Sequence, residues 1–304
     1  MNPKTILITG ASGLIGTRLT QMLIQDGHRV KQLSHAKKNG NRSAFTWDIE
    51  KNQIEKNAFD SVDAIVHLAG AGIADKPWTA KRKQLILESR TKSTALLFNA
   101  LRDGDHTVQT FISASGVGYY GSGDEMFTEE SKPGNDFLAN VVKQWEAEVD
   151  KIQTLGIRTV KLRTGIVLSE KGGALKEIAV PVRYGVGAPL GTGMQYMSWI
   201  HIDDLCRMYG YAVTNGDLIG AFNAVGPKFT TNAEMTRAIG RVLKKPIWLP
   251  RIPGFVLRIL LGEMADLVLM GSKVSSTKIQ EAGFNFNFPS LEPALEDLLN
   301  NPQK

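Results

Sequence analysis

The chain has 304 residues, 42% hydrophobic and 22% charged, a balance that speaks against disorder and allows two domains, or one large domain with a cap. Its net charge of +6 is scattered, with short basic clusters only at "AKKNGNR", "AKRK" and "LKKP", so no nucleic-acid-binding face is indicated while an anionic ligand is compatible. The single Cys206 excludes an internal disulfide framework, and the start lacks the basic-then-apolar order of a signal peptide, which makes a reducing cytosol the expected compartment.

The first predicted element is a short apolar strand, Thr5 to Thr9, followed after "GASGLIG" by a helix whose apolar residues recur at helical spacing from Leu14 to Ile24. Three glycines therefore sit at a strand-to-helix turn. Such a turn aims free N–H groups and the positive helix end at whatever lies above the strand, which suits a dinucleotide pyrophosphate. Gly10 would make the turn, Gly13 would let the backbone approach the phosphates, and Gly16 would let the helix pack closely on the strand. Ser12, Leu14 and Ile15 would add N–H groups or a hydroxyl there, although Leu14 and Ile15 read equally well as packing residues.

Further strands are predicted at Arg29–Leu33, Ala44–Trp47, Ala64–Leu68, Thr110–Ser113 and Arg158–Arg163, with helical patterns between most of them. That alternation implies a parallel, doubly wound α/β sheet of Rossmann type with helices on both faces. "TILIT", "AIVHLA" and "TFISA" are continuous apolar runs, as buried parallel strands are. At the end of the fourth strand, Leu68, Ala69 and Gly70 are small enough to pass beneath a cofactor, while His67 reads as a packed strand residue. "GGALKEIAVPVRYGVGAPLGTG" suits a lid, "WIHIDDL" starts another helix and "AFNAVG" a further strand. "FVLRILLGEMADLVLMG" carries Arg258, Glu263 and Asp266, which argues against a membrane span and for one amphipathic helix of a smaller C-terminal substrate-capping domain. The division expected is residues 1–165, re-entered by about 199–227, for dinucleotide binding and 166–304 for the cap.

Taken together and in this order, "TGASGLIG", "HLAGAGI", "FISASGVGYYG", "LRTGIVL" and "WIHIDDL" resemble the extended short-chain dehydrogenase/reductases of the NAD(P)-dependent epimerase/dehydratase type. More narrowly, "ADKPWTAKRKQLILESR", "DFLANVVKQWE" and "GSKVSSTKIQEAGFNF" are similar to its nucleoside-diphosphate-sugar epimerase-like branch, which carries a C-terminal domain of unknown function. The resemblance implies that Asp48 meets the adenine edge, that Arg90 touches the pyrophosphate or ribose, and that Ile166 and Val167 lie beside the nicotinamide.

Cofactor choice is read at the end of the second strand, where NAD(H) usually meets an acid. Here "KQLSHAKK" offers Ser34, His35 and Lys37 instead, so NADP(H) is favoured over NAD(H). The family exchanges a proton through a tyrosine whose pKa a lysine lowers, beside a serine. Ser115 matches the serine. No tyrosine falls within "DFLANVVKQWE", and Lys143 only approximates the lysine, leaving Tyr119 and Tyr120 as substitutes; a packed pair is the competing reading for both. Asp203 or Asp204 would cap a helix, His201 is a residue to test, and Arg183 and Gln195 fall in the lid.

The function implied is an NADP(H)-dependent oxidoreductase or epimerase acting on a hydroxylated, perhaps nucleotide-linked, sugar. A catalytically degenerate NADP(H)-binding protein that reports redox state to a partner is the alternative, favoured by the missing tyrosine. The expected partner is a small molecule, with neither nucleic acid nor membrane, and helices over Trp78–Leu101 and Asp136–Thr154 could form a homodimer face, as in relatives.

Overall fold

The computed structural model describes residues 2–35 and 43–300. The chain begins with β1 (Thr5–Thr9), α1 (Leu14–Gln25), β2 (Arg29–Ser34), β3 (Ala44–Asp48), the short β4 (Gln53–Ile54) and β5 (Ala64–His67). The long α2 (Ala80–Asp103) leads to β6 (Thr110–Gly116), β7 (Gly123–Phe127), α3 (Phe137–Gln153), β8 (Arg158–Thr164) and β9 (Ile166–Leu168). After α4 (Ala174–Arg183) come β10 (Trp199–His201), α5 (Ile202–Thr214) and β11 (Gly220–Ala224). The final part is mostly helical: α6 (Asn232–Val242), α7 (Gly254–Leu261), α8 (Asp266–Leu269), β12 (Ser272–Val274), α9 (Thr277–Glu281) and α10 (Leu291–Asn300).

Eight strands form the central sheet in the order β11-β8-β6-β5-β1-β2-β3-β4, all parallel except the β3–β4 pair. All five residues of β1 are buried, because a strand inside a parallel sheet is covered on both faces. Side chains alternate between two cores, as the two-residue period of a strand requires. Ile6, Ile8, Ile112, Val160 and Leu162 join one core with Leu19, Leu205 and Tyr209 from α1 and α5. Leu7, Ile65 and Phe111 join the other with Leu97, Trp145 and Val149 from α2 and α3. The chain runs outward from β1 through β2 and β3, then returns to β5 on the other side of β1. That reversal opens a crevice at the carboxyl ends of β1 and β5, where ligands of such sheets lie.

Local sequence explains where the helices start. Thr79 Oγ1 accepts from the Arg82 N–H at 3.2 Å, and Asp136 Oδ1 accepts from the Ala139 N–H at 2.8 Å. Thr231 and Glu234 make a reciprocal capping box on α6. α5 departs from expectation, since neither Asp203 nor Asp204 caps it. His201 does, its Nδ1 accepting from the Asp203 N–H at 3.1 Å. This frees both carboxylates for longer-range work. Asp203 holds Arg18 of α1 through two bonds of 2.7 and 2.8 Å, and the buried Asp204 accepts from the backbone N–H groups of Asn287 and Phe288, both at 2.8 Å.

The apolar stretch from Phe255 to Gly271 is not one helix. α7 stops where Gly262 adopts φ +59°, a 3-10 turn covers Gly262–Ala265, and α8 follows. A left-handed glycine ends a helix at little steric cost. Two small parallel pairs, β9 with β10 and β7 with β12, also escaped the sequence reading, because strands of three to five residues leave too short a pattern. No described helix is long and apolar enough to cross a membrane.

Candidate functional site

The glycine turn is built as its sequence suggests. Gly10 sits at φ +69°, and a Cβ there would lie 2.9 Å from the backbone of Leu68 and Ala69. At Gly16 a Cβ would approach the Gly10 carbonyl to 2.3 Å, so strand, turn and helix touch backbone to backbone. Gly13 caps α1 without any side-chain bond, and no acid stands in the helix's first turn. The positive end of the helix is therefore uncompensated by the chain itself. Ser12 and Gly13 are exposed, whereas Leu14 and Ile15 are partly buried against the core. Thr9 Oγ1 accepts the N–H groups of both Leu68 and Ala69 at 3.2 Å, which fixes the end of β5 beneath the crevice.

Arg90 comes from α2 toward the same end of β5. Its Nη1 donates to the carbonyls of Ala71 and Ile86 at 3.0 and 2.9 Å, its guanidinium lies over Trp145 at 5.3 Å, and a Cβ on Gly70 would meet its Cζ at 3.1 Å. Burial, with Arg82 adding repulsion, pulls Arg90 down to about 10. No carboxylate among the described residues pairs with it. A desolvated, uncompensated cation beside a strand end is a receptor for an anion.

At the end of β2, Ser34 is half-buried and His35 exposed, with the His35 ring 5.9 Å from Trp47. Lys37 lies outside the described residues. Asp48 Oδ1 accepts from the Lys51 N–H at 3.0 Å and its Oδ2 is 3.4 Å from Lys51 Nζ. It closes β3 and steadies the turn that follows, and its carboxylate keeps acceptor positions open to solvent. Ile166 and Val167 pair with Trp199 and Ile200 in the β9–β10 ribbon. Gln195 of the expected lid ties down the cap, donating to the carbonyls of Leu190 and Val268, and Arg183 is exposed.

The expected proton-exchange group is rearranged. On α3 the side chains facing the end of β6 are Leu138, whose Cβ lies 3.2 Å from a Cβ position on Gly118, and Val142, 3.9 Å from one on Gly116. Four residues apart, they share one face of α3 and have the spacing of a Tyr-x-x-x-Lys pair, and both are apolar. Lys143 is exposed, one position off that face, which corrects its assignment. Tyr120 is only 3% exposed, donates to Asn223 Oδ1 at 2.6 Å and accepts from Arg163 Nη1 at 3.0 Å. Burial pushes its phenol up to about 12 against the pull of Arg163. Its hydroxyl is thereby engaged on both sides in a buried network with Asn223 and Arg163. Tyr119 is half-buried with its ring 3.5 Å from the Arg163 guanidinium.

Ser115 is present but engaged, its Oγ donating to Glu146 Oε1 at 2.6 Å. Glu146 in turn holds Arg163 by two bonds of 2.9 and 2.8 Å. Burial works against the Arg163 charge, yet Glu146 more than offsets it and holds the guanidinium above its ordinary value. Glu146 and Asn223 went unnoticed in the sequence. Glu146 left a signal, a lone acid on the apolar stripe of Val142, Trp145 and Val149. His67 is packed as expected, between Thr9 Oγ1 at 2.7 Å and the hydroxyls of Ser93 and Thr94 at 3.2 and 3.1 Å.

Comparison with known proteins matches the motif order. The model of the NAD dependent epimerase/dehydratase family covers residues 6–226. The chain belongs to that family. A Domain of unknown function (DUF1731) covers residues 252–298 of this epimerase-family protein, as its C-terminal motif implied. It is 35% identical to the mouse "Epimerase family protein SDR39U1" over 97% of this chain and 99% of that one, and 37% identical to "Epimerase family protein Mb2239" of Mycobacterium bovis over 97% of each. The crystal structure of human epimerase family protein SDR39U1 (isoform2) with NADPH superposes with a TM-score of 0.89, at 32% identity, covering 98% of this chain and 99% of that one. The nucleoside-diphosphate sugar epimerase from Corynebacterium glutamicum superposes with a TM-score of 0.82 at 31% identity, covering 99% of this chain and 59% of that one.

Proposed function

We propose that this protein is an NADP(H)-dependent oxidoreductase whose cofactor lies across the carboxyl ends of β1, β2 and β5. One observation carries this: an uncapped α1 amino terminus and the half-buried Arg90, which has no carboxylate partner among the described residues, both flank the crevice at the reversal of strand order. Gly10, Ser12, Gly13, Leu14, Ile15 and Gly16 would form the pyrophosphate turn, Ser34 and His35 would face a 2′-phosphate, and Leu68, Ala69, Gly70, Ile166 and Val167 would line the path to the nicotinamide. The human relative crystallised with NADPH supports the choice of NADP(H). The substrate class we assign is a small hydroxylated molecule, with a nucleotide-linked sugar the first to try, in keeping with the name of the Corynebacterium neighbour.

Hydride transfer to or from an alcohol carbon needs a proton partner at the oxygen. With apolar Leu138 and Val142 on the face of α3 nearest the end of β6, Tyr119 is the remaining phenol near Ser115 with partial exposure. The same two apolar side chains favour a second reading, an NADP(H)-binding protein without turnover that reports cofactor state to a partner. One experiment separates the readings: NADPH oxidation and NADP reduction followed with nucleotide sugars, simple ketones and alcohols, for the parent and Tyr119→Phe. Turnover that falls about 10²-fold in the variant supports Tyr119 as proton partner. Turnover unchanged in the variant refutes that role, and tight NADPH binding with no turnover across the panel establishes the second reading.

A further inference from the structure

From Met235 to Gly262 the sequence carries six Lys and Arg residues and no Asp or Glu. Of the six, Arg241 pairs with Glu292 and Arg258 with Asp266, while the exposed Arg237, Lys244, Lys245 and Arg251 have no carboxylate partner among the described residues. α6 ends within this stretch, and there Arg237, Arg241, Lys244 and Lys245 surround an open cavity of about 400 Å³. We infer that this edge of the cap docks on a membrane surface rich in anionic phospholipid, with α7 in the headgroup layer and the cavity receiving a lipid phosphate. None of these residues belongs to the cofactor site proposed above, so the two readings stand or fall separately.

Cations at the carboxyl end of α6 also steady that helix, but this duty asks for no apolar ridge further along the chain, and there is one. In α7 Phe255 is 67% exposed, Ile259 78% and Leu260 72%, and only Leu257 of that helix is buried. Phe255 and Ile259, four residues apart, stand on one face. Between Lys245 and α7 comes Trp248, 68% exposed, its ring N–H already bonded to the Gly185 carbonyl at 3.0 Å between the exposed Tyr184 and Val186. Side chains this far exposed project from the surface instead of lining a groove, which suits entry into a headgroup layer better than the seating of a folded partner. Aromatic rings and long cationic side chains are the groups that settle at that interface, and the cations meet the negative potential of the leaflet. The expectation of no membrane partner concerned a span; a helix lying in the interface needs an apolar face and flanking cations, not the length of one.

Flotation of the full chain with lipid vesicles tests this, using phosphatidylcholine alone and phosphatidylcholine with about one third phosphatidylglycerol. Expected is binding at least about 10-fold tighter to the anionic vesicles, weakening as salt rises. Two variants address the two halves of the surface: Ile259→Ser with Leu260→Ser, and Lys244→Gln with Lys245→Gln. All four side chains are exposed, so both variants should keep the parent's unfolding midpoint, and each should bind anionic vesicles at least about 10-fold more weakly. Should one fail to fold, the other still decides. Absence of binding to anionic vesicles, equal binding to neutral ones, or a folded variant that binds as the parent does overturns the proposal. Binding of soluble polyglutamate without binding of vesicles overturns it as well, and gives the face to an acidic protein partner.

Discussion

Glu146 holds two side chains at once. It accepts from Ser115 and from two nitrogens of Arg163, and Arg163 passes the constraint to Tyr120 and, through it, to Asn223. A serine and a tyrosine that the motif marks for chemistry are thereby fixed as parts of a buried ion-pair network, and such networks are costly to leave half-made. His67 shows the same logic without charge. Burial pushes its imidazole down to about 3 from about 6.5, so between those values the unfolded chain binds a proton that the native chain refuses. The stability tied to His67 is complete above about pH 6.5 and is lost as pH falls toward 3, by up to about 1.4 kcal/mol per pH unit. Urea unfolding at pH 7 and pH 5 should show a larger loss for the parent than for His67→Gln. Equal losses would refute the assignment.

Among the elements, α5 does the most to join sheet and cap. Its apolar face builds the core through Leu205, Met208 and Tyr209, Asp203 reaches α1, and Asp204 is the anchor for the segment that precedes α10. Asp204→Ala would strand two backbone N–H groups at the segment before α10 and leave Arg207, which donates to Asp204 Oδ1 at 2.9 Å, without its carboxylate. A loss on the order of 3 kcal/mol is expected. Urea denaturation measures it, and limited proteolysis should cut first near Gly283–Phe288; a variant as stable and as resistant as the parent would show that the cap is held by packing alone. α3 teaches a different lesson, because its helical pattern was evident from sequence while the face it turns to β6 was not. A one-residue difference in register separates exposed Lys143 from Val142.

At the scale of the whole molecule, the order of strands puts the uncapped end of α1 and the half-buried Arg90 near the carboxyl ends of β1 and β5, while the end of β2 presents Ser34 and His35 rather than an acid. NADPH should therefore stabilise the fold more than NADH at equal concentration. At 100 times its dissociation constant a ligand adds about 2.7 kcal/mol, easily seen as a raised melting temperature. Gly13→Val should abolish that shift and still fold, since a Cβ at Gly13 meets only the Gly10 carbonyl at 3.3 Å. Equal shifts with both dinucleotides would refute the preference for NADP(H), and a full shift in a folded Gly13→Val would refute the place of the phosphates.

The sequence by itself determined the fold class and the site of the glycine turn, because both rest on local physics. Continuous apolar runs need a sheet covered on both faces, and Gly10 and Gly16 stand where any Cβ would strike backbone. It also carried the motif order that identifies the family. The tertiary structure decided what each polar side chain is bonded to. Ser115 is bound to Glu146, 31 residues away, Tyr120 to Asn223, 103 residues away, and His201 rather than an aspartate caps α5. Such partners meet only when strands from distant parts of the chain lie side by side in register, and burial then sets each group's charge and its freedom to act.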